Sequence, residues 1–464
     1  MTDPLAELAA LRAADLPTHG GRTLAYVYDS ALPGLDEFAA AAHALAAPAN
    51  GLDPTAFPSL LRLEREVVAT AARLLGGGVG TVTSGGTESC LLAVLAARDS
   101  RPDVARPSVV VPETAHAAFH KAGHYFGVRV VAVPVDPVTF RADPAAMAAA
   151  VDATTVLVVA SAPSYAHGVV DPVAEIAAVA AGRGVRCHVD ACIGGWVLPH
   201  ADVAPFDLRV AGVTSVSVDL HKYAYCPKGV SVLLHADAGL RRAQFFASAD
   251  WPGYTMLNTT MQSTRSGGPV AAAWAVLRRI GDDGYRELAG RALRSARVVR
   301  EGIGAIAGLR VLGEPEATLL AVAGEGGDGT GGVDVFVVAD ELKARGWYAQ
   351  PQFAHGASPA NLHLTLTAAN AGHEAELLAD LSASVAAARE LGAPEVPEGV
   401  LAAVRGLTPD QVTAEGVAGL LAATGMGGGG VLPERMAGVN TLLAAAGPRV
   451  RERLLVEFLG VLHS

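Results

Sequence analysis

Lys222 stands where an amine could do chemistry. It lies in Val218–Gly229 (VDLHKYAYCPKG), between two β-prone apolar runs, Val213 to Val218 and Val230 to Leu234. A lysine at the mouth of a buried strand, among aromatic neighbours, loses its proton more readily than a surface lysine. Such an amine forms a Schiff base with a carbonyl. Upstream, Thr83-Ser84-Gly85-Gly86-Thr87-Glu88-Ser89 opens the Ala/Leu-rich helix Cys90–Ala97. Small residues at a helix N-terminus let backbone N–H groups gather round an anion, and Ser84, Thr87 and Ser89 add hydroxyl donors. Between these two segments, His188-Val189-Asp190-Ala191 ends a strand. A carboxylate there can pair with a protonated pyridine nitrogen and keep the ring an electron sink. Alone, the first loop also reads as an ordinary helix cap and Asp190 as a strand-end cap. In combination, amine, anion cradle and carboxylate point to pyridoxal 5'-phosphate (PLP).

Further residues surround this set. His116 follows Pro112-Glu113-Thr114-Ala115 and can lie flat on a heteroaromatic ring. His116, His120 and His124 repeat at i, i+4, i+8, the spacing of one helix face, and Glu113 sits three residues before the first. Four in-line helical side chains rarely converge on one ion, so no metal is expected. Ser161-Ala162-Pro163, with Gly168 and Asp171, forms a turn after a strand at the level of such a ring. Ser263–Gly268 precedes a long helix, and its Arg and hydroxyls can reach a phosphate or simply cap the helix. Tyr28, Tyr165, His167 and His363 lie near strand ends or loops, where such residues are more often structural than catalytic. No GxGxxG occurs at the required spacing, which disfavours a nicotinamide enzyme.

The elements that position these residues read as α/β. Residues 1–60 form an N-terminal arm broken by Pro and Gly. The spacing of Leu60 to Leu75 predicts a helix stopped by Gly76-Gly77-Gly78. Strands are predicted at Val109–Val111, Val128–Val133, Thr155–Ser161, Val185–Asp190, Val213–Val218 and Val230–Leu234. Short apolar strands alternating with Ala-rich helices indicate a mostly parallel sheet covered on both faces, with ligands at the carboxyl ends of the strands. Residues 61–270 are therefore read as the large PLP-binding domain. Residues 271–394 are read as a connecting helix (about 270–300) and a smaller C-terminal α/β domain with strands at Thr318–Val322, Asp334–Val338 and Leu362–Thr367. Gly324–Gly332 reads as a loop. Residues 395–464 read as a helical extension interrupted at Gly427–Gly430.

The bulk composition limits the alternatives. The 464-residue chain is 51% hydrophobic and 17% charged, as expected of a globular protein. Its net charge of -11 argues against a nucleic-acid or anionic-membrane partner. Four cysteines without a CxxC pair are expected as reduced thiols in a cytoplasmic protein. Met1-Thr2-Asp3-Pro4 lacks a basic n-region, so no secretory leader is expected. No apolar run reaches about 18 residues, so no membrane span is expected.

In this order the elements resemble a fold-type I PLP enzyme (aspartate aminotransferase-like) of the group II decarboxylase superfamily, closest to the sphingosine-1-phosphate lyases. The segments that carry the resemblance are Ala49–Glu66, Thr83–Ser89, Pro112–Gly127, Ser161–Pro172, His188–Gly195, Asp219–Gly229 and Ser263–Gly268. The resemblance implies that Lys222 is the Schiff-base lysine, that Asp190 pairs with the ring nitrogen and that His116 stacks on the ring. It assigns the cofactor phosphate to Ser84, Gly85, Gly86 and Thr87 with His221, and places Ser161 beside the ring. It also implies a homodimer with shared sites, in which Thr264 and Ser266 contribute across the interface. Lys228 and Tyr28 match positions implicated in substrate or proton-transfer chemistry. The chain departs from the lyase pattern at Gly51-Leu52-Asp53, where Pro-Leu-His is usual. It departs again at Ala224 for Gly, Cys226 for Ala and Ser266 for Pro. An acidic residue in place of that His weakens the expected hold on a phosphorylated substrate.

The implied activity is retro-aldol carbon–carbon cleavage of a (phosphorylated) amino alcohol to an aldehyde and an amine. Amino-acid decarboxylation is the alternative, because the bond held perpendicular to the ring is the one that breaks. A non-catalytic paralog is the third reading.

Overall fold

Seven short strands make the main sheet: β1 (Val79–Thr83), β2 (Ser108–Pro112), β3 (Arg129–Val133), β4 (Thr155–Ser161), β5 (Arg186–Asp190), β6 (Ser215–Asp219) and β7 (Ser231–His235). The computed structural model describes residues 3–325, 332–423 and 433–463. The spatial order is β1-β7-β6-β5-β4-β2-β3. Strands β3, β2, β4, β5 and β6 pair in parallel, and β7 runs antiparallel to both β6 and β1. Every residue of β2, β4, β6 and β7 is buried. That burial explains why β2, β4 and β7 read as nearly continuous apolar runs, while β6 alternates Ser and Val and buries Ser215 and Ser217 as hydrogen-bond partners of His188. Val158, Val189, Val216, Val218 and Val232 lie at the centre of the core with no exposed surface.

This topology fixes where chemistry can occur. Ser161, Asp190 and Asp219 are the last residues of neighbouring strands β4, β5 and β6. In the register, Ser161 lies opposite Asp190, and Asp190 opposite Ser217. Because β1 and β6 are both antiparallel to β7, the end of β1 at Thr83 emerges on the same edge.

The chain forms two compact units. The first comprises Met1–Val298, Leu312–Leu320 and Thr365–Gly372, and the second Val299–Val311, Ala321–Leu364 and His373–Ser464. A four-stranded sheet has the order Leu309–Val311, Leu319–Gly324, Asn361–Thr365, Gln350–Gln352. In the second unit, helices Glu398–Gly406, Ala414–Ala423, Ala437–Ala445 and Pro448–Leu462 surround a small apolar core that includes Val404, Val412, Leu442, Val450 and Leu454.

Several sequence expectations are corrected. Asp334–Val338 is not a strand: Val335–Ala344 is a helix. The Asp334 carboxylate accepts hydrogen bonds from Phe336 N at 2.8 Å and Val337 N at 3.2 Å, and this cap outweighs the β preference of the Val-rich run. The long helix at 270–300 spans Gly268–Ile303 but is broken at Gly281, where φ is 65°. Strand β1 escapes a reading by pattern, because Val-Gly-Thr-Val-Thr is short and holds a glycine. His116 precedes the helix Ala118–Phe126 and its Nδ1 accepts from Ala118 N, so it does not share a helix face with His120 and His124. Residues 326–331 of the Gly-rich loop and the whole of Gly427–Gly430 lie outside the described residues.

Candidate active site

A cavity of about 400 Å³ opens at the carboxyl edge of the sheet. Ser84, Gly85, Gly86, Thr87, His116, Ser161, Asp190, His221 and Lys222 all line it. These nine residues singled out from sequence therefore converge on one space, and Tyr165, read as more often structural, lines it too. Its size suits a cofactor plus a small substrate group. Lys228 and Tyr28 are not among its lining residues. The Lys228 ammonium donates to the Tyr26 carbonyl at 3.0 Å and the His221 carbonyl at 3.3 Å, and lies 4.8 Å from the centre of the Tyr28 ring.

Thr264 and Ser266 do not reach the cavity within one chain. The Ser266 hydroxyl instead donates to the Ala47 carbonyl at 2.9 Å. Their neighbours Ser263 and Arg265 line a second cavity of about 660 Å³ with Asp53 and Glu64. There Arg265 pairs with Glu64 at 2.5 Å. The Asp53 carboxylate is held by Thr55 N, Thr55 Oγ1 and Ala56 N, and these bonds, led by the Thr55 hydroxyl, keep its pKa low.

Asp219 is the residue that sequence reasoning passes over. Its carboxylate lies 2.9 Å from Lys222 Nζ and accepts from Ser231 Oγ at 2.6 Å. The available signal is a strand-end acid three residues before the lysine. Asp219 also overturns the expected ionisation of Lys222. Burial pulls the amine down, but Asp219 above all, then Tyr28 and Cys192, hold its pKa well above the ordinary value. The Lys222 turn is fastened by its tyrosines. Tyr223 donates to the Leu366 carbonyl at 2.7 Å and accepts from Thr318, and Tyr225, with a left-handed φ of 55°, accepts from Ala368 N at 3.3 Å.

Asp190 is held with equal care. It accepts from Cys192 N at 3.1 Å and from Ser217 Oγ at 3.4 Å. His188 bonds Ser215 and Ser217 through its two ring nitrogens, and burial pushes its pKa down to about 4, so the ring is neutral. Burial would raise the Asp190 pKa, but His116, the Cys192 hydrogen bond, His188 and Lys222 together bring it below the usual carboxylate value. The cavity thus contains an ionised, fixed carboxylate opposite an amine.

The anion loop favours a ligand over the plain cap reading. The helix Gly86–Asp99 has Gly85 at its N-cap and no side-chain cap. Its first-turn amides have no intrahelical acceptor. Gly86 is also a spatial requirement. A Cβ there would stand 2.7 Å from both Asp219 oxygens and from Cys192 Sγ. Gly86→Ala is therefore expected to destabilise the protein by about 1–3 kcal/mol, the usual size of overpacking. Denaturant midpoints check this, and an unchanged midpoint would contradict the crowding.

The residues fit PLP. Ser161 Oγ is buried and, among the described residues, has no hydrogen-bond partner, and it faces the cavity beside Asp190. The protein has the fold of fold-type I PLP enzymes. A glutamate decarboxylase from Lactobacillus brevis shares that fold, with a TM-score of 0.74 at 19% identity over 85% of this chain and 94% of its own. A sphingosine-1-phosphate lyase structure from Burkholderia pseudomallei matches with a TM-score of 0.78 and 35% identity, covering 84% of this chain and 91% of that one.

The chain belongs to the pyridoxal-dependent decarboxylase family, whose conserved-domain model matches residues 27–322, and its cofactor is PLP. A model of the C-terminal HTH domain of pyridoxal-dependent enzymes matches residues 398–461. Sphingosine-1-phosphate lyase of Dictyostelium discoideum is 39% identical over 74% of this chain and 65% of its own length. Sphingosine-1-phosphate lyase 1 of Rattus norvegicus is 37% identical over 75% and 61%. The chain thus spans somewhat under two thirds of the length of these two relatives. Among the described residues, no helix is long and apolar enough to cross a membrane.

Proposed function

We propose that the protein is a PLP-dependent carbon–carbon lyase of the sphingosine-1-phosphate lyase kind, cleaving a phosphorylated amino alcohol to an aldehyde and an amine. The observation that carries this reading is the convergence of Lys222, Asp190, His116 and the 84–87 loop on one cavity, in a chain 35–39% identical to such lyases. Bound PLP supplies an electron sink for negative charge on the carbon that bears the substrate amine.

The chain's own residues have distinct tasks. Lys222 would hold the cofactor carbonyl and, when its amine is free, carry protons. Asp190 keeps the ring nitrogen protonated, and His116 covers the ring face. The Ser84 and Thr87 hydroxyls and the Gly85, Gly86 and Thr87 amides, with His221, would hold the phosphate, the Ser84 amide being taken by Glu88 at 2.6 Å, and Ser161 would orient the ring edge. Lys228, beside Tyr28, is assigned the proton of the substrate hydroxyl. Thr264 and Ser266 complete the site from a second copy in a homodimer. The large PLP-binding domain is assigned to residues 61–270. Four free, buried cysteines support a reducing, cytoplasmic setting. Residues 395–464 carry five arginines and no lysine against seven acidic residues, a negative balance that does not favour nucleic-acid binding.

Lys228 gives this assignment a pH signature. Although the residue is exposed overall, its ammonium is tucked over Tyr28. Burial, then the charge of Lys222, lowers its pKa to about 8. A group acting as a base must be unprotonated, so kcat/KM is expected to rise with pH up to about 8 and then level. Lys228→Arg removes that limb and costs about 10²–10⁴-fold. A profile unchanged in the variant would assign the proton transfer elsewhere.

Decarboxylation is the second reading, favoured by the family model itself. Incubation with amino acids and with phosphorylated amino alcohols separates the two by product.

A further inference from the structure

Two thiols and a carboxylate meet on the floor of the cavity, and the proposed reaction uses only the carboxylate. Cys90 lies in the first turns of the helix Gly86–Asp99, Asp190 ends β5, and Cys192 follows two residues later. All three are buried, and all three line the cavity, so a small ion has access to them. We propose that Cys90, Cys192 and Asp190 form a three-ligand site for a thiophilic divalent cation, Zn²⁺ being the ion that fits.

The geometry carries the assignment. The two Sγ atoms and a carboxylate oxygen lie within 4.8 Å of one another, and Cys90 Sγ is 3.8 Å from Asp190 Oδ2. Tetrahedral zinc, with Zn–S near 2.3 Å and Zn–O near 2.0–2.2 Å, sets a sulfur and an oxygen about 3.5 Å apart and two sulfurs about 3.8 Å apart. The S···O pair needs a shift of a few tenths of an ångström, and the sulfurs close by at most about 1 Å, within reach of side-chain rotation. Ser217 Oγ lies 3.3 Å from Cys192 Sγ and donates to Asp190, so it orients two of the three ligands. Such supporting hydrogen bonds are a regular feature of built metal sites.

Two cysteines suit a soft ion rather than Mg²⁺ or Ca²⁺, which take oxygen. Binding replaces two S–H bonds by two Zn–S bonds and releases two protons to solvent. Asp190 contributes the third bond without losing one, and a water on the cavity side fills the fourth position. No electron moves and no oxidant is needed. A consequence, which rests on the proposed role of Asp190, is that the ion and PLP exclude each other: a cation on the Asp190 carboxylate cancels the negative charge that would hold the protonated ring nitrogen. Zinc would then act on this enzyme by blocking cofactor loading.

The test uses the full chain, with PLP bound and after PLP is stripped with a carbonyl-trapping amine. Cd²⁺ serves as the probe, because thiolate ligation gives it a near-ultraviolet charge-transfer band. The stripped protein is expected to bind one Cd²⁺ per chain with that band. Zn²⁺ should displace it, and added PLP should release it. Cys90→Ser and Cys192→Ser are each expected to weaken binding by about 100-fold and reduce the band. The isosteric Asp190→Asn keeps the band while weakening binding. Absence of the band in the stripped protein, or binding unchanged in both cysteine variants, would overturn the site. Cd²⁺ retained at full stoichiometry after PLP has loaded would overturn the exclusion. PLP uptake, read separately by visible absorbance, reports on the functional reading. If PLP fails to bind, the Cd²⁺ titration still decides the site.

Discussion

Lys222→Ala is expected to lower turnover by about 10⁴-fold or more, the upper end of what a single proton-transferring group contributes. It should also remove the visible absorption of lysine-bound PLP. Both effects follow from the same position. Lys222 Nζ is held 2.9 Å from Asp219 at the end of β6, on a turn fastened by Tyr223 and Tyr225. Its neighbours Gly86, Asp190 and His221 line the same cavity. Among the described residues, no other lysine lines that cavity. The variant should still fold, because the core of the sheet does not depend on this side chain. Absorbance spectra with single-turnover assays measure both effects. Wild-type turnover, or an unchanged spectrum, would remove Lys222 from its assigned role.

The second large effect is expected from Asp190→Asn, with turnover falling by about 10²–10³-fold, the size of losing one preorganised charge in a buried site. Asn keeps the shape and can still accept the Cys192 amide, so the loss isolates the charge. Against the pull of burial, four groups hold the native carboxylate ionised, His116 foremost. Its negative charge is therefore present throughout the neutral range. The variant should keep a near-native thermal transition while binding PLP more weakly. A comparable kcat in Asp190→Asn, measured at saturating PLP, would contradict the assigned pairing with the ring nitrogen.

Much of this site is legible in the amino-acid sequence alone. Parallel strands buried on both faces favour apolar residues, so the run at 155–161 announces itself and Ser161 at its end marks the ligand edge, whereas 186–190 (Arg-Cys-His-Val-Asp) is legible only as a short β-prone stretch between two helices that ends at Asp190. The Schiff-base lysine and the ring carboxylate are found this way. What sequence hides has physical causes. The cap at Asp334 winds a β-branched run into a helix. Asp219 and Lys222 are near neighbours in sequence, but the strength of their ion pair depends on burial at a strand end, which periodicity does not report. The direction of the Lys222 ionisation is missed for that reason. Cys90 and Cys192 are about a hundred residues apart, and only the strand order brings their sulfurs together.

The most direct test of the central claim is product analysis with purified, PLP-loaded protein. With a phosphorylated long-chain amino alcohol, the account predicts equal amounts of aldehyde and phosphorylated amine, without CO2 and dependent on Lys222. Release of CO2 from an amino acid, with no aldehyde formed from any amino alcohol, would contradict it.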